Sequence, residues 1–111
     1  MTAVHEFAHV MDFASRIPSN DGVLSNNMAA ATGSYIGCTS YLDCILNGGS
    51  HYIAGGTPAS DYGRQNRYED FAEAVTATVF PDDPRYTQDG KLRMDVTRQR
   101  YVQQMFSDYR H

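Results

Sequence analysis

Two histidines four residues apart, with a glutamate directly after the first, stand near the start of the chain in the stretch TAVHEFAHVMD. On an α-helix, positions four apart lie one above the other, so His5 and His9 can turn their imidazoles towards a common point. Neutral imidazole is a favoured zinc ligand. Glu6, on the adjoining part of the same turn, can reach a water in an open coordination position without binding the metal itself. The chemistry that uses such a trio is metal-assisted hydrolysis, in which the ion polarises a carbonyl and acidifies water while a carboxylate takes the proton.

Two histidines hold zinc weakly, and a catalytic site supplies three protein ligands. The other histidines are His51 and His111, and the carboxylates to weigh are Asp61, Glu69, Asp70 and Glu73. Glu69 and Glu73 are again four apart within a helical pattern, so they face the same way and can meet the first helix across a helix-helix contact. Such a pair suits a ligand and its support, with Glu69 on the metal and Glu73 accepting the ring N–H of a ligating histidine.

Three helices are expected to position these groups. From Thr2 to about Ser15, Val4, Phe7, Ala8, Met11 and Ala14 recur at helical spacing, with Thr2 a candidate N-cap and Pro18 beyond the end. The pattern returns from Arg67 to Val79 through Phe71, Ala72, Val75 and Val79, and Pro81 stops it. After the polar turn PDDPRYTQDGK, the segment from about Val96 to Tyr109 places Val102, Met105, Phe106 and Tyr109 on one stripe with Arg and Gln opposite, which reads as a packing helix. Residues 19 to 61 are rich in Gly, Ser and Asn and read as loops with one or two short helices or strands.

With 111 residues, 41% of them apolar and 20% charged, the chain is expected to fold as one domain over 1–111. A net charge of −4 and scattered basic residues lack the cationic excess of a protein that neutralises phosphates, so no nucleic-acid partner is expected. No stretch approaches the ~20 apolar residues of a membrane span, and the N-terminus lacks the regions of a signal peptide, so no membrane partner is expected either. Cys38 and Cys44 enclose five residues in a Gly/Ser/Asn-rich region. A disulfide between them would tighten a loop and point to an extracellular, secreted setting.

The HEFAH run with Val10, Met11 and Asp12, together with DYGRQNRYEDFAEAV from Asp61 to Val75, resembles the catalytic domain of the anthrax lethal factor family of zinc metallopeptidases. In that family an HEFGH helix is followed by a YGR segment and then an ExFAE helix. The resemblance covers residues 5–12 and 61–75 and leaves the middle unmatched. It implies that His5, His9 and Glu69 bind Zn2+, that Glu6 is the general base, that Tyr62 helps to stabilise the oxyanion and that Glu73 supports a ligand. Ala8 stands where the family has glycine, and the gap between the two motifs is longer here. The stretch GTPASDYG also resembles the GTxDxxYG signature of the aspzincin metallopeptidases, whose third ligand is an aspartate. Ala59 occupies that position, which makes Asp61, two residues on, the alternative metal ligand.

The expectation is a mainly α, α+β zincin-like metallopeptidase subdomain lacking the N-terminal sheet that usually aligns a substrate strand. It would hydrolyse peptide bonds of a peptide or protein substrate with a zinc-bound water activated by Glu6. The alternative is a non-catalytic or degenerate zinc-binding module, in which the metal serves stability and Glu6 has no task.

Overall fold

The computed structural model describes residues 2–13, 23–34, 46 and 52–109. The described part is mainly helical: α1 (Thr2–Phe13), α2 (Val23–Thr32), a 3-10 turn (Tyr62–Arg64), α3 (Arg67–Val79), a two-stranded hairpin of β1 (Thr87–Gln88) and β2 (Lys91–Leu92), and α4 (Val96–Tyr109). The last two helices have the bounds that periodicity predicts. The first ends within its expected range, and α2 falls in the stretch expected to hold short elements. Thr2, the expected N-cap, is the first residue of α1. Cys38, Cys44, His51 and His111 lie outside the described residues, and with them the proposed disulfide.

Helix α3 is the centre of the molecule, with α1, α2 and α4 all packed against it. Its start is fixed by Asn66, whose extended backbone and side-chain oxygen, accepting from the Glu69 N–H at 3.0 Å, cap the first turn. From Arg67 to Ala77 only Glu69 is more than marginally accessible. The core joins Phe71, Ala72 and Val75 of α3 to Ala8 of α1, Met28 of α2, and Val102 and Met105 of α4. Ala8 is fully buried, so the residue that departs from the lethal-factor pattern is a small side chain where α1 comes close to the core. Phe7 is the exception on α1. Although it shares the apolar spacing, it is 57% exposed, because the helix turns Val4, Ala8 and Met11 inwards instead.

The segment expected as a polar turn closes into a hairpin, pairing Thr87 with Leu92 and Gln88 with Lys91. Its two central residues, Asp89 and Gly90, both have positive φ (56° and 77°), as a tight two-residue hairpin turn demands. The turn before the hairpin buries Tyr86, and the residues after it bury Met94. The stretch Gly55–Gly56 passes so close to the end of α2 that a side chain at Gly55 would collide with the Thr32 carbonyl.

Arg98 of α4, one of the residues opposite the apolar stripe, is completely buried. Its Nε donates to Asp70 Oδ1 at 2.8 Å, its Nη2 to Asp70 Oδ2 at 2.6 Å and its Nη1 to the Gly55 carbonyl at 2.6 Å. The Tyr52 hydroxyl also donates to Asp70. Burial of a guanidinium is tolerated because almost every direction around it is filled by an acceptor.

Candidate metal centre

Helix α1 presents His5 and His9 to the face of α3 that carries Glu69 and Glu73. Glu69 Oε1 lies 3.0 Å from His5 Nε2 and 2.9 Å from His9 Nε2, and the two Nε2 atoms are 3.1 Å apart. Among the described residues this is the only trio of His, Cys, Asp and Glu able to converge on one ion. In a tetrahedral zinc site with bonds of about 2.0–2.1 Å, neighbouring ligand atoms sit roughly 3.3–3.4 Å apart, so a small outward adjustment fits the triangle to such an ion. The donor set of two imidazoles and one carboxylate is also one that zinc uses in catalytic sites.

The far side of His5 is held as tightly. His5 Nδ1 donates to Glu73 Oε2 at 2.9 Å, and Glu73 is itself fixed by the Ser60 hydroxyl at 2.7 Å on Oε1 and the buried Tyr86 hydroxyl at 3.2 Å on Oε2. This fixes the tautomer that leaves Nε2 facing Glu69 and His9. Tyr62, 45% exposed in the 3-10 turn, donates its hydroxyl to Glu69 Oε2 at 2.9 Å. Glu6 is exposed, on the wall of a cavity of about 650 Å³ whose lining also includes His5, Tyr62, Glu73, Tyr86 and Arg93.

The electrostatics follow from this crowding. Hydrogen bonds to Glu69 and then Glu73 hold a proton on His5 and raise its pKa to about 9, against the opposing effect of burial. Burial alone would raise Glu69. The N–H groups of His5 and His9 and the Tyr62 hydroxyl outweigh it and bring the carboxyl down to about 2. Glu73 is lowered in the same manner, with burial overcome chiefly by His5 and Ser60. Tyr86 is pushed up to about 12 by burial and by the charge of Glu73.

His5, His9 and Glu69 are therefore brought together, with Glu73, Tyr62 and Glu6 around them. Asp61, the alternative ligand, does not join them: its side chain is 89% exposed and pairs with Arg93 Nη2 at 3.0 Å. Its place at the start of the 3-10 turn directs it to the cavity mouth while the next residue, Tyr62, meets Glu69. Asp70 is also removed from the candidates, being committed to Arg98. Sequence reasoning missed Ser60, Tyr86 and Arg93. Tyr86 stands in a turn expected to be polar, and the only signal for burial there was an aromatic residue among charged ones. No protein family, curated protein or solved structure matches the chain.

Proposed function

We propose that the chain is a zinc-dependent metallopeptidase, or the zincin-like catalytic part of one, with His5, His9 and Glu69 holding the ion. The observation that carries this reading is the triangle of two Nε2 atoms and one Oε1, with edges of 2.9–3.1 Å, backed by Glu73 on His5 Nδ1, with His5 also lining the neighbouring cavity. Zinc held there would supply Lewis acidity, polarising a peptide carbonyl and making water a better acid.

The protein's own groups account for the rest of a hydrolysis. Glu6 borders the cavity one residue from His5, where its carboxylate can take a proton from the attacking water and pass it to the departing amine as the C–N bond breaks. Glu73, steadied by Ser60 and Tyr86, keeps the His5 Nδ1–H in place, so that the ring neither flips nor changes tautomer. Tyr62 orients Glu69 through its hydroxyl, and releasing that bond would free the same O–H to donate to a developing oxyanion. Removing a donor of this kind commonly costs about 3 kcal/mol of transition-state stabilisation.

The test is Glu6→Gln. Loss of the general base should lower kcat for peptide cleavage on the order of 10²- to 10⁴-fold while zinc content stays at one ion per chain. Equal zinc with no cleavage by either protein would favour the non-catalytic binding module, in which Glu6 has no task.

A further inference from the structure

The cavity beside the candidate metal centre has two unlike walls. One carries His5, Glu6 and Glu73 from α1 and α3, and the other carries Arg93 and Arg85 from the segments flanking the hairpin, Arg85 pairing through Nε with Asp83 Oδ1 at 3.3 Å, with Asp61 also in the lining. The buried Tyr86 joins them, with its hydroxyl on Glu73, its carbonyl accepting from the Arg93 N–H at 2.8 Å, and its ring 5.4 Å from the Arg85 guanidinium carbon. The cationic wall is thus one side chain away from the support of His5.

The Arg93 side chain is 26% exposed, and among the described residues its guanidinium makes one hydrogen bond, to Asp61 Oδ1 at 3.0 Å. A guanidinium has five N–H donors in a planar fork suited to a carboxylate. Asp61 engages a single one of them from an almost fully solvated position, where an ion pair contributes little. It can be displaced by a better-placed carboxylate entering the cavity.

We propose that Arg93, with Arg85 beside it, makes this cavity a carboxylate-binding subsite, so that the chain selects substrates carrying a carboxylate next to the bond at the metal centre. The word substrate rests on the metallopeptidase reading; the carboxylate site does not. The carboxylate has two sources, an acidic side chain or the free C-terminus of a peptide.

Three fluorescently labelled short peptides of otherwise equal sequence separate these sources: one amidated with an internal Glu, one with Gln ending in a free carboxylate, and one amidated with Gln. Binding is measured by anisotropy on the whole metal-free chain, where turnover does not intervene. At least one acidic peptide is expected to bind roughly tenfold or more tightly than the neutral one, the scale of a charge-assisted pair. Arg93→Gln should bring the ratio close to one, and Arg93→Lys, which keeps the charge and loses the fork, should retain part of it. Equal binding of all three peptides, or a preference that survives Arg93→Gln, overturns the proposal. Cleavage of the same peptides by the zinc-loaded protein is read separately. Preference without cleavage would sink the peptidase reading and leave the subsite, whereas cleavage indifferent to charge, with equal binding, would sink the subsite alone.

Discussion

His5 sits between two carboxylates, and the protons there set how the site responds to pH. In the metal-free protein the stability contributed by the His5 pairing is complete below its unfolded value of 6.5 and is lost as pH rises through about 9. The contribution of Glu69 has the opposite sense, being complete above 4.5 and lost as pH falls through about 2. Denaturant titrations of the metal-free chain should therefore show stability declining from pH 7 to pH 9. Zinc must displace the His5 proton, so its apparent affinity should rise by about tenfold per pH unit from 6.5 towards 9, which competition with a chromophoric chelator would measure. Glu73→Ala should weaken zinc binding by roughly 10- to 100-fold without removing a ligand, because the His5 ring loses the acceptor that fixes it. A variant with unchanged affinity would deny Glu73 that supporting role. The common face of His5 and His9 is legible from their spacing, and the partnership of Glu73 with a histidine N–H was also expected. Ser60 and Tyr86, which complete it, were not, because neither has a spacing relation to the histidines.

At the scale of elements, α3 holds both the candidate site and the core, and the residue next to Glu69 faces away from His5 and His9 into the Arg98 cluster. The register of α3 thus ties Glu69 on one face to Asp70 on the other. Asp70→Ala would strip the buried Arg98 guanidinium of two acceptors and leave it only Asp95 Oδ1, 2.9 Å from Nη1, and the Gly55 carbonyl, with an expected cost of up to about 3–5 kcal/mol in urea unfolding. Replacing both residues with well-packed apolar ones should recover much of that loss, since the pair's own desolvation cost disappears with it. If the double replacement is as damaging as the single one, the cluster contributes more than charge compensation. Helix positions were readable because apolar spacing reports on backbone geometry that is settled within a few residues. The burial of Arg98 was not readable. In a helical pattern it occupies a polar position, and only the arrival of Asp70, Tyr52 and the Gly55 carbonyl from other parts of the chain makes that position an interior one.

Across the whole molecule, a metal held by residues 60 or more apart in sequence would link α1 to α3 and should stabilise the fold by mass action. At free zinc one hundred times Kd the expected gain is about 2.7 kcal/mol, visible as a raised thermal midpoint that a chelator reverses and that His5→Ala abolishes. An unchanged midpoint in zinc would speak against a specific site. What the amino-acid sequence determined by itself was the periodic part: three of the helices, the shared face of His5 and His9, the shared face of Glu69 and Glu73, and the mainly helical character, all of which follow from local backbone geometry. The tertiary structure alone decided which carboxylate meets the imidazoles. Glu69 does so and Asp61 does not, because the packing of α1 on α3 brings one helix face within 3 Å of the histidines, while the 3-10 turn carries Asp61 outwards to Arg93. It also decided that Tyr86 and Arg93 border the same cavity as Glu6. Contacts of that kind depend on how a whole core closes, and no short-range pattern encodes them.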